Sequence, residues 1–151
     1  MVERAFEGLN SRYFLMTSQR LKDLLERFRT NTPASAEEIH AFEKGASMSL
    51  PVEYRDFLRI SDGGEGFVGP AGYAMLWKVS ELLPFNHEYE AAEYAPGLLL
   101  FGSNGGGEAF AFDLRFPDKP IVSVPFIGMD LTEALPVAKT FEGFLEYLAR
   151  Q

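Results

Sequence analysis

The sequence predicts an α+β fold: one domain in which a twisted, mainly antiparallel sheet of about five strands is packed with N-terminal helices and one C-terminal helix. Amphipathic helical patterns occupy the beginning and the end of the chain, and short apolar runs separated by glycine and proline lie between them. The length of 151 residues and the 46% hydrophobic content are those of one globular domain with a single core. Disordered and collagen-like classes are therefore excluded.

The first helix is predicted from Thr17. Its apolar residues follow the spacing of one buried helical stripe: Leu21, Leu24, Leu25 and Phe28. We assign residues 1–34 to an N-terminal extension that contributes this one amphipathic helix, and residues 35–151 to the domain that contains the sheet. No internal repeat or low-complexity linker divides the second range further.

Two more helices are predicted before the sheet. Ser35 and Glu38 match a capping box, in which each side chain accepts a hydrogen bond from the other residue's backbone N–H, so a helix should run from about Ala36 to Lys44. Gly45 can end it in the left-handed conformation. Pro51 suits the first turn of a third helix, which Asp62-Gly63-Gly64 stops. The buried face of that helix is Tyr54, Phe57 and Leu58.

The predicted strands are apolar runs bounded by turn residues: Ala74–Val79, Leu98–Phe101, Ala109–Leu114, Ile121–Pro125 and a weaker one at Leu135–Ala138. Between the first two, Asn86 should cap a short acidic helix that Pro96-Gly97 ends. Thr140 should cap the last helix, whose buried stripe is Phe141, Phe144, Leu145 and Leu148. Turns with positive φ are expected at Gly63, Gly64, Gly105 and Gly106. Most of the following large side chains should lie in the core: Tyr54, Phe57, Trp77, Phe101, Phe110 and Phe112.

Composition argues against several classes of function. The absence of cysteine removes thiol nucleophiles, disulfides and thiolate zinc sites. A formal net charge of −8 disfavours direct binding to nucleic acid. No apolar run is long enough to span a membrane and no signal peptide is evident, so we expect a cytoplasmic protein. Because His40 and His87 form no ligand-spaced pair, we expect neither a metal nor another cofactor.

No catalytic residue is predicted. Ser103 lacks the first glycine of a nucleophile elbow. The glycine-rich stretch 102–107 precedes Glu108 and a strand rather than a helix, which favours a hairpin turn over a phosphate-binding loop. Glu108 and Asp113 would point to opposite sides of a regular strand, so they are poor partners for acid–base hydrolysis.

Negative charge is concentrated after the first helix. The first 30 residues carry six Lys or Arg and four Asp or Glu, so the rest of the chain has a net charge of −10. This acidity has two interpretations: a solvated face that keeps the domain soluble, or a docking surface in which carboxylates attract a basic partner and tyrosines pack against it. The candidate partner-binding residues are Asp62, Glu65, Glu88, Tyr89, Glu90 and Glu93, all expected to be exposed.

Four groups of residues carry a family resemblance. They are Ile39, Phe42, Glu43, Leu50, Pro51, Tyr54, Arg55, Phe57, Leu58 and Asp62-Gly63-Gly64; Leu76-Trp77, Leu82 and Asn86; Phe101-Gly102-Ser103, Gly105-Gly106, Glu108 and Phe110-Ala111-Phe112-Asp113; and Phe141, Phe144 and Leu145. In this order they resemble the SUKH superfamily, specifically the Smi/Knr type of fungal cell-wall assembly regulators and bacterial immunity proteins. The resemblance covers about residues 35–148, and residues 1–34 match no part of it.

The resemblance implies an α+β fold that binds other proteins and has no established catalytic chemistry. In bacteria it implies an immunity protein that binds and neutralises a toxin partner, often a nuclease, whereas other members act as scaffolds or regulators. A basic toxin domain would complement the acidic part of the chain. A less favoured alternative is a small-ligand-binding or carboxylate-based hydrolytic domain with a pocket between sheet and helices. The oligomeric state is left open.

Overall fold

The computed structural model describes residues 19–151, which form six α-helices and one seven-stranded antiparallel sheet in the order β1 to β7. The elements are α1 (residues 19–24), β1 (Phe28–Thr30), α2 (Ala36–Ala46), α3 (Val52–Leu58), β2 (Gly64–Val68), β3 (Gly72–Leu76), α4 (Val79–Glu88), α5 (Ala91–Tyr94), β4 (Leu98–Ser103), β5 (Glu108–Asp113), β6 (Ile121–Pro125), β7 (Leu135–Ala138) and α6 (Phe141–Ala149). The predicted α+β class is confirmed, but the sheet has seven strands rather than about five. The predicted helix start at Thr17 lies outside the described residues.

The main hydrophobic core lies between one face of the sheet and the helices α1, α2, α3 and α6, together with the first half of α4. Tyr54 is central to it: its ring centroid lies 5.5 Å from that of Phe101, 4.9 Å from Phe112 and 5.3 Å from Phe141. Burying one such side chain contributes about 1.5–3 kcal/mol, so these contacts dominate the packing. Of the side chains expected in the core, all are buried except Trp77, which is partly exposed.

A second, smaller core covers the opposite face of the sheet at β4, β5 and β6. In β5, Phe110 and Phe112 enter the main core, whereas Ala109 and Ala111 enter the second. The predicted alternation along this strand is therefore confirmed. Helix α5 packs on this face through Ala91, and the small alanine side chains of β5 leave room for it.

The segment after α1 differs from the prediction. Leu21, Leu24, Leu25 and Phe28 are all buried, but the helix ends at residue 24 and Phe28 begins β1. This strand pairs with β2, where a Cβ on Gly64 would lie 2.5 Å from the Arg29 carbonyl oxygen and 2.6 Å from the Phe28 ring. Because glycine is depleted in strands, β2 was not predicted, yet only glycine permits this close approach.

At two turns, the residue with positive φ lies one or two positions after the residue that was predicted. Gly45 lies inside α2, and Ser47, with φ of 53°, ends that helix in the left-handed conformation. Positive φ is confirmed at Gly63, Gly64 and Gly105, but Gly106 does not adopt it and Gly107 does. The α3 helix ends at Leu58, ahead of the glycines. The predicted capping box of Ser35 with Glu38 and the Thr140 cap are confirmed.

The strand predicted at Ala74–Val79 exists, but its bounds are Gly72–Leu76, and the predicted cap at Asn86 is wrong. The strand ends at Leu76, Val79 begins α4, and Asn86 lies inside that helix. Its side-chain amide donates to the carbonyl oxygens of Leu82 (2.7 Å) and Leu100 (2.9 Å) and accepts from the N–H of Leu100 (2.8 Å). Since β3 pairs with β4 at only two positions, the Asn86 side chain takes the place of a strand neighbour beside Leu100.

Replacement of Asn86 by alanine should destabilise the fold by about 3 kcal/mol, because the two backbone groups of the buried Leu100 would lose their partner. Urea unfolding measures the change in the free energy of unfolding. His87→Ala, at an exposed position of the same helix, is the matched control and should change it by less than about 0.5 kcal/mol. A loss below about 1 kcal/mol for Asn86→Ala would show that this contact does not hold α4 to the sheet.

Candidate protein-binding surface

The six predicted partner-binding residues fall into three places. Glu88, Tyr89, Glu90 and Glu93 lie together, all exposed, at the corner where α4 is followed by α5. Glu65 lies on β2 and is partly buried. Asp62 is only 7% exposed, so the expectation that it lies on the surface is wrong.

Asp62 caps the start of α4. Its carboxylate accepts a hydrogen bond from the N–H of Val79 at 2.7 Å, and its carbonyl oxygen accepts one from the amide of Asn31 at 2.8 Å. Burial raises the pKa of Asp62, the Val79 hydrogen bond opposes that increase, and the negative charge of Glu38 adds to it. The residue is therefore part of the framework that fixes α4, and it presents no free carboxylate to a partner.

A strip of four aromatic side chains, Phe85, Trp77, Tyr89 and Phe126, crosses the surface beside the exposed acids. The Trp77 ring lies 4.9 Å from Phe85 in an edge-to-face contact and is stacked on Tyr89 at 6.1 Å. Tyr89 in turn lies 4.6 Å from Phe126. None of the four is fully buried, and Tyr89 is 42% exposed. We call these four residues the aromatic strip.

One apolar residue continues the aromatic strip at its Phe126 end. Ile127, the next residue, is 94% exposed. The N–H of Phe126 donates to the carbonyl oxygen of Gly107 at 3.0 Å, which ties this loop to the glycine-rich turn. A large aliphatic side chain in this position exposes apolar area that a partner can bury.

At the other end, a cleft of about 440 Å³ separates α4 from strands β1, β2 and β3. We call it the Trp77 cleft, and it is lined by Arg29, Asn31, Gly64, Glu65, Met75, Leu76, Trp77, Glu81 and Phe85. Met75 alternates along β3 with the buried Ala74 and Leu76, so it lies on the sheet face opposite to the main core. Beside the cleft, the Tyr73 hydroxyl donates to Glu65 at 2.8 Å, and this bond raises the pKa of Tyr73.

The exposed acids next to the aromatic strip form one negative area, which we call the acidic corner and define as Glu88, Glu90 and Glu93. Their effect is visible at Tyr94, which is 50% exposed. The negative charges of Glu93 and Glu90 raise the pKa of the Tyr94 phenol. The surface thus combines packed aromatic rings with a negative potential, which is the composition of many protein-binding sites.

The other groups considered for chemistry do not converge. His40 and His87 are both exposed on different helices, and no cluster of three or more potential metal ligands occurs within residues 19–151. Asp113 is 2% exposed and holds Arg115 through two hydrogen bonds of 2.9 Å and 2.8 Å, which lower the pKa of the carboxyl. Glu108 is partly buried at the other end of the same strand.

The glycine-rich stretch 102–107 ends β4 and forms the hairpin turn that leads to β5, as predicted. Its amides are used internally: Gly105 donates to the Ser103 hydroxyl at 3.2 Å, and Gly106 donates to the Asn104 side chain at 2.7 Å. Backbone amides that are already bonded offer no cradle to a phosphate.

Sequence reasoning missed Trp77, Phe85 and Phe126 as parts of the surface. Trp77 was assigned to the core because large aromatic residues are usually buried there. The sequence does contain a signal for Phe85, because Phe85 and Tyr89 are four residues apart and residues at this spacing share one side of a helix. The signal was not used because α4 was not predicted over that range. Phe126 reaches Tyr89 only through the fold, which no local pattern reveals.

The chain matches a known protein family. Residues 33–147 match the model of the SMI1 / KNR4 family (SUKH-1). No curated protein matches the chain. A search of the described helices for a membrane span finds none with sufficient length and apolar character. The family match covers the helices α2 to α5, most of α6, and all strands from β2 to β7.

The burial of Asp62 predicts a defined effect of pH on stability. Since its pKa in the folded protein lies above the ordinary 3.8, the folded state binds more protons than the unfolded chain between these two values. The contribution of Asp62 to the free energy of unfolding is therefore greatest below 3.8 and falls as pH rises through the raised pKa. Asp62→Asn, whose amide oxygen can still accept the Val79 hydrogen bond, should remove this dependence.

Urea unfolding of both proteins, from below pH 3.8 to neutrality, measures the effect. The stability of the original protein minus that of Asp62→Asn should decrease with rising pH and then level off. Other titrating groups are common to both proteins and cancel in this difference. A difference that stays constant, or one that increases with pH, would contradict the assignment.

Proposed function

Because the chain belongs to the SMI1 / KNR4 family (SUKH-1), we propose that it is a non-enzymatic protein-binding domain and, more specifically, an immunity protein that binds and neutralises a toxin partner. The observation that supports this proposal most is the aromatic strip beside the acidic corner. Within residues 19–151 it brings one exposed and three partly exposed aromatic rings next to exposed carboxylates, a composition suited to recognition of another protein. The residues with catalytic potential do not come together in a comparable way.

The aromatic strip and the acidic corner would act at different stages of binding. Carboxylates at the edge of an interface attract a basic partner over distances of about 10 Å and accelerate the encounter. Tryptophan and tyrosine then supply most of the affinity, because their rings lose water over a large area when the partner closes on them. A partner of positive charge, such as the catalytic domain of a nuclease, would suit the net charge of −10 after the first 30 residues.

Neutralisation in this proposal is steric. An immunity protein that covers the active or substrate-binding surface of a toxin needs no chemistry of its own, only affinity and shape. It would act in the cytoplasm and would contact the toxin rather than nucleic acid or membrane. The −8 net charge agrees with this, because a negative surface repels phosphate backbones.

A regulatory or scaffold domain of the same family is the alternative, and it would use the same surface on another partner. A hydrolytic or ligand-binding domain is less favoured. The only strong ionic contact of Asp113 in the described chain is structural, and Glu108 lies at the opposite end of its strand.

Co-expression with the product of a neighbouring toxin-like gene tests the immunity proposal. Restored growth together with a co-purifying complex would support it. Absence of both with every such neighbour would exclude a toxin partner. Enrichment of a cell-wall or signalling protein in a pull-down, with no toxin gene nearby, would instead favour the regulatory alternative.

Replacement of Tyr89 by alanine should lower the affinity for the identified partner at least about tenfold, because the central exposed ring of the aromatic strip would be lost. Titration calorimetry measures the dissociation constant. Phe116→Ala is the matched control, since Phe116 is a 52% exposed aromatic residue outside the strip, and its affinity should be unchanged. An equal loss of affinity in both variants would show that the aromatic strip is not the specific binding surface.

A further inference from the structure

We propose that the Trp77 cleft accepts one arginine side chain of the protein partner, whose guanidinium packs on the Trp77 ring and bonds the carboxylates of Glu65 and Glu81. This inference rests on the proposed function in that it names the chemistry of the partner at this surface. It adds a specific contact, because neither the family match nor the aromatic strip alone says what enters the cleft.

The cleft is large enough to admit a long side chain. Its volume of about 440 Å³ lies within the range of roughly 300–1,000 Å³ that small ligands occupy in proteins. Phe85 and Trp77 meet edge to face at 4.9 Å in its wall, so the Trp77 ring position is fixed before a partner arrives. A rigid aromatic wall reduces the entropic cost of binding.

Two carboxylates reach this cleft from different elements. Glu65 belongs to β2 and is held by the Tyr73 hydroxyl at 2.8 Å. Glu81 belongs to α4, and one of its oxygens accepts the N–H of Lys78 at 2.8 Å. Within residues 19–151, neither carboxylate has a cationic side chain within 4.0 Å. Both therefore retain acceptor capacity for a charged donor.

One cation also lines the cleft. Arg29 on β1 stands opposite Glu65 in the strand register but forms no ion pair with it. With two carboxylates against one guanidinium, the lining carries a net charge of −1. The acidic corner beside the aromatic strip adds to the negative potential, so an entering cation is attracted.

Arginine fits this lining better than lysine does. A guanidinium is planar, so it can stack on an aromatic ring while its edge donates hydrogen bonds to carboxylates. An ammonium group is a more strongly hydrated point charge and gains less from the ring. Arginine, tryptophan and tyrosine are also the residues that contribute most to binding energy in protein interfaces.

The chain contains a single tryptophan, so its fluorescence reports on the surroundings of the Trp77 ring alone. The probe is an N-acetylated Gly-Arg-Gly amide, and the same peptide with citrulline, which has the shape of arginine without its charge, is the control ligand. Addition of the arginine peptide should shift the emission saturably. The citrulline peptide should give no saturable shift, and the lysine peptide should bind more weakly than the arginine peptide.

Glu65→Gln and Glu81→Gln should each weaken binding of the arginine peptide about tenfold, since each removes a charge-assisted hydrogen bond. Glutamine keeps an acceptor oxygen, so the Tyr73 and Lys78 contacts and the fold are retained, which circular dichroism checks. Asp118→Asn, an exposed acid that does not line the cleft, is the matched control and should bind as the original protein does.

Equal responses to the arginine and citrulline peptides would overturn the inference, as would unchanged binding in both glutamine variants. These outcomes are separate from those of the proposed function. A toxin complex that keeps its affinity in Glu65→Gln and Glu81→Gln would refute the arginine contact and leave the immunity role standing. Arginine-selective binding without any toxin partner would refute only the immunity role.

Discussion

The side-chain amide of Asn86 is the contact on which the arrangement of this domain depends. Strand β3 leaves β4 after two residue pairs, and the three hydrogen bonds of Asn86 fill the gap beside Leu100. They also fix the helix that runs through the gap. The first half of α4 packs in the main core, and α5, which follows it, packs on the opposite face of the sheet. A single amide therefore links both cores.

The candidate binding surface forms at this same discontinuity. Trp77 is the first residue after β3. Its backbone N–H still donates to the carbonyl oxygen of Phe101 at 3.0 Å, so its ring is held at the edge of the gap. The buried Asp62 fixes the start of α4, and Phe85 and Tyr89, four residues apart, both contact the Trp77 ring. A preorganised binding site requires side chains whose positions are fixed by neighbouring contacts, as they are here by the hydrogen bonds of Asp62 and of the Trp77 backbone. The contacts that fix α4 on the sheet therefore also position the aromatic side chains of the candidate binding surface.

Much of the fold follows from local patterns in the sequence. The errors arise where a helix or strand depends on contacts between residues that are far apart in the chain. The capping box at Ser35 and the strand at Leu135–Ala138 were predicted correctly, because a capping pair and an apolar run are local signals. Strand β2 was missed, since its glycines are explained only by the close approach of Phe28. The start of α4 was missed because its cap, Asp62, lies 17 residues away in sequence. For the surface, the exposed acids and Tyr89 could be identified from charge and residue type, whereas their packing partners depend on tertiary contacts.

The last strand, β7, bounds the sheet with a short edge that contains Pro136 and pairs irregularly with β6. Proline offers no amide to an incoming strand, so this margin is a poor template for backbone-to-backbone addition. A partner that approached this margin would have to be held by side chains rather than by strand pairing. Exchange of a few exposed side chains would then change what the faces offer to another molecule without disturbing any strand pairing.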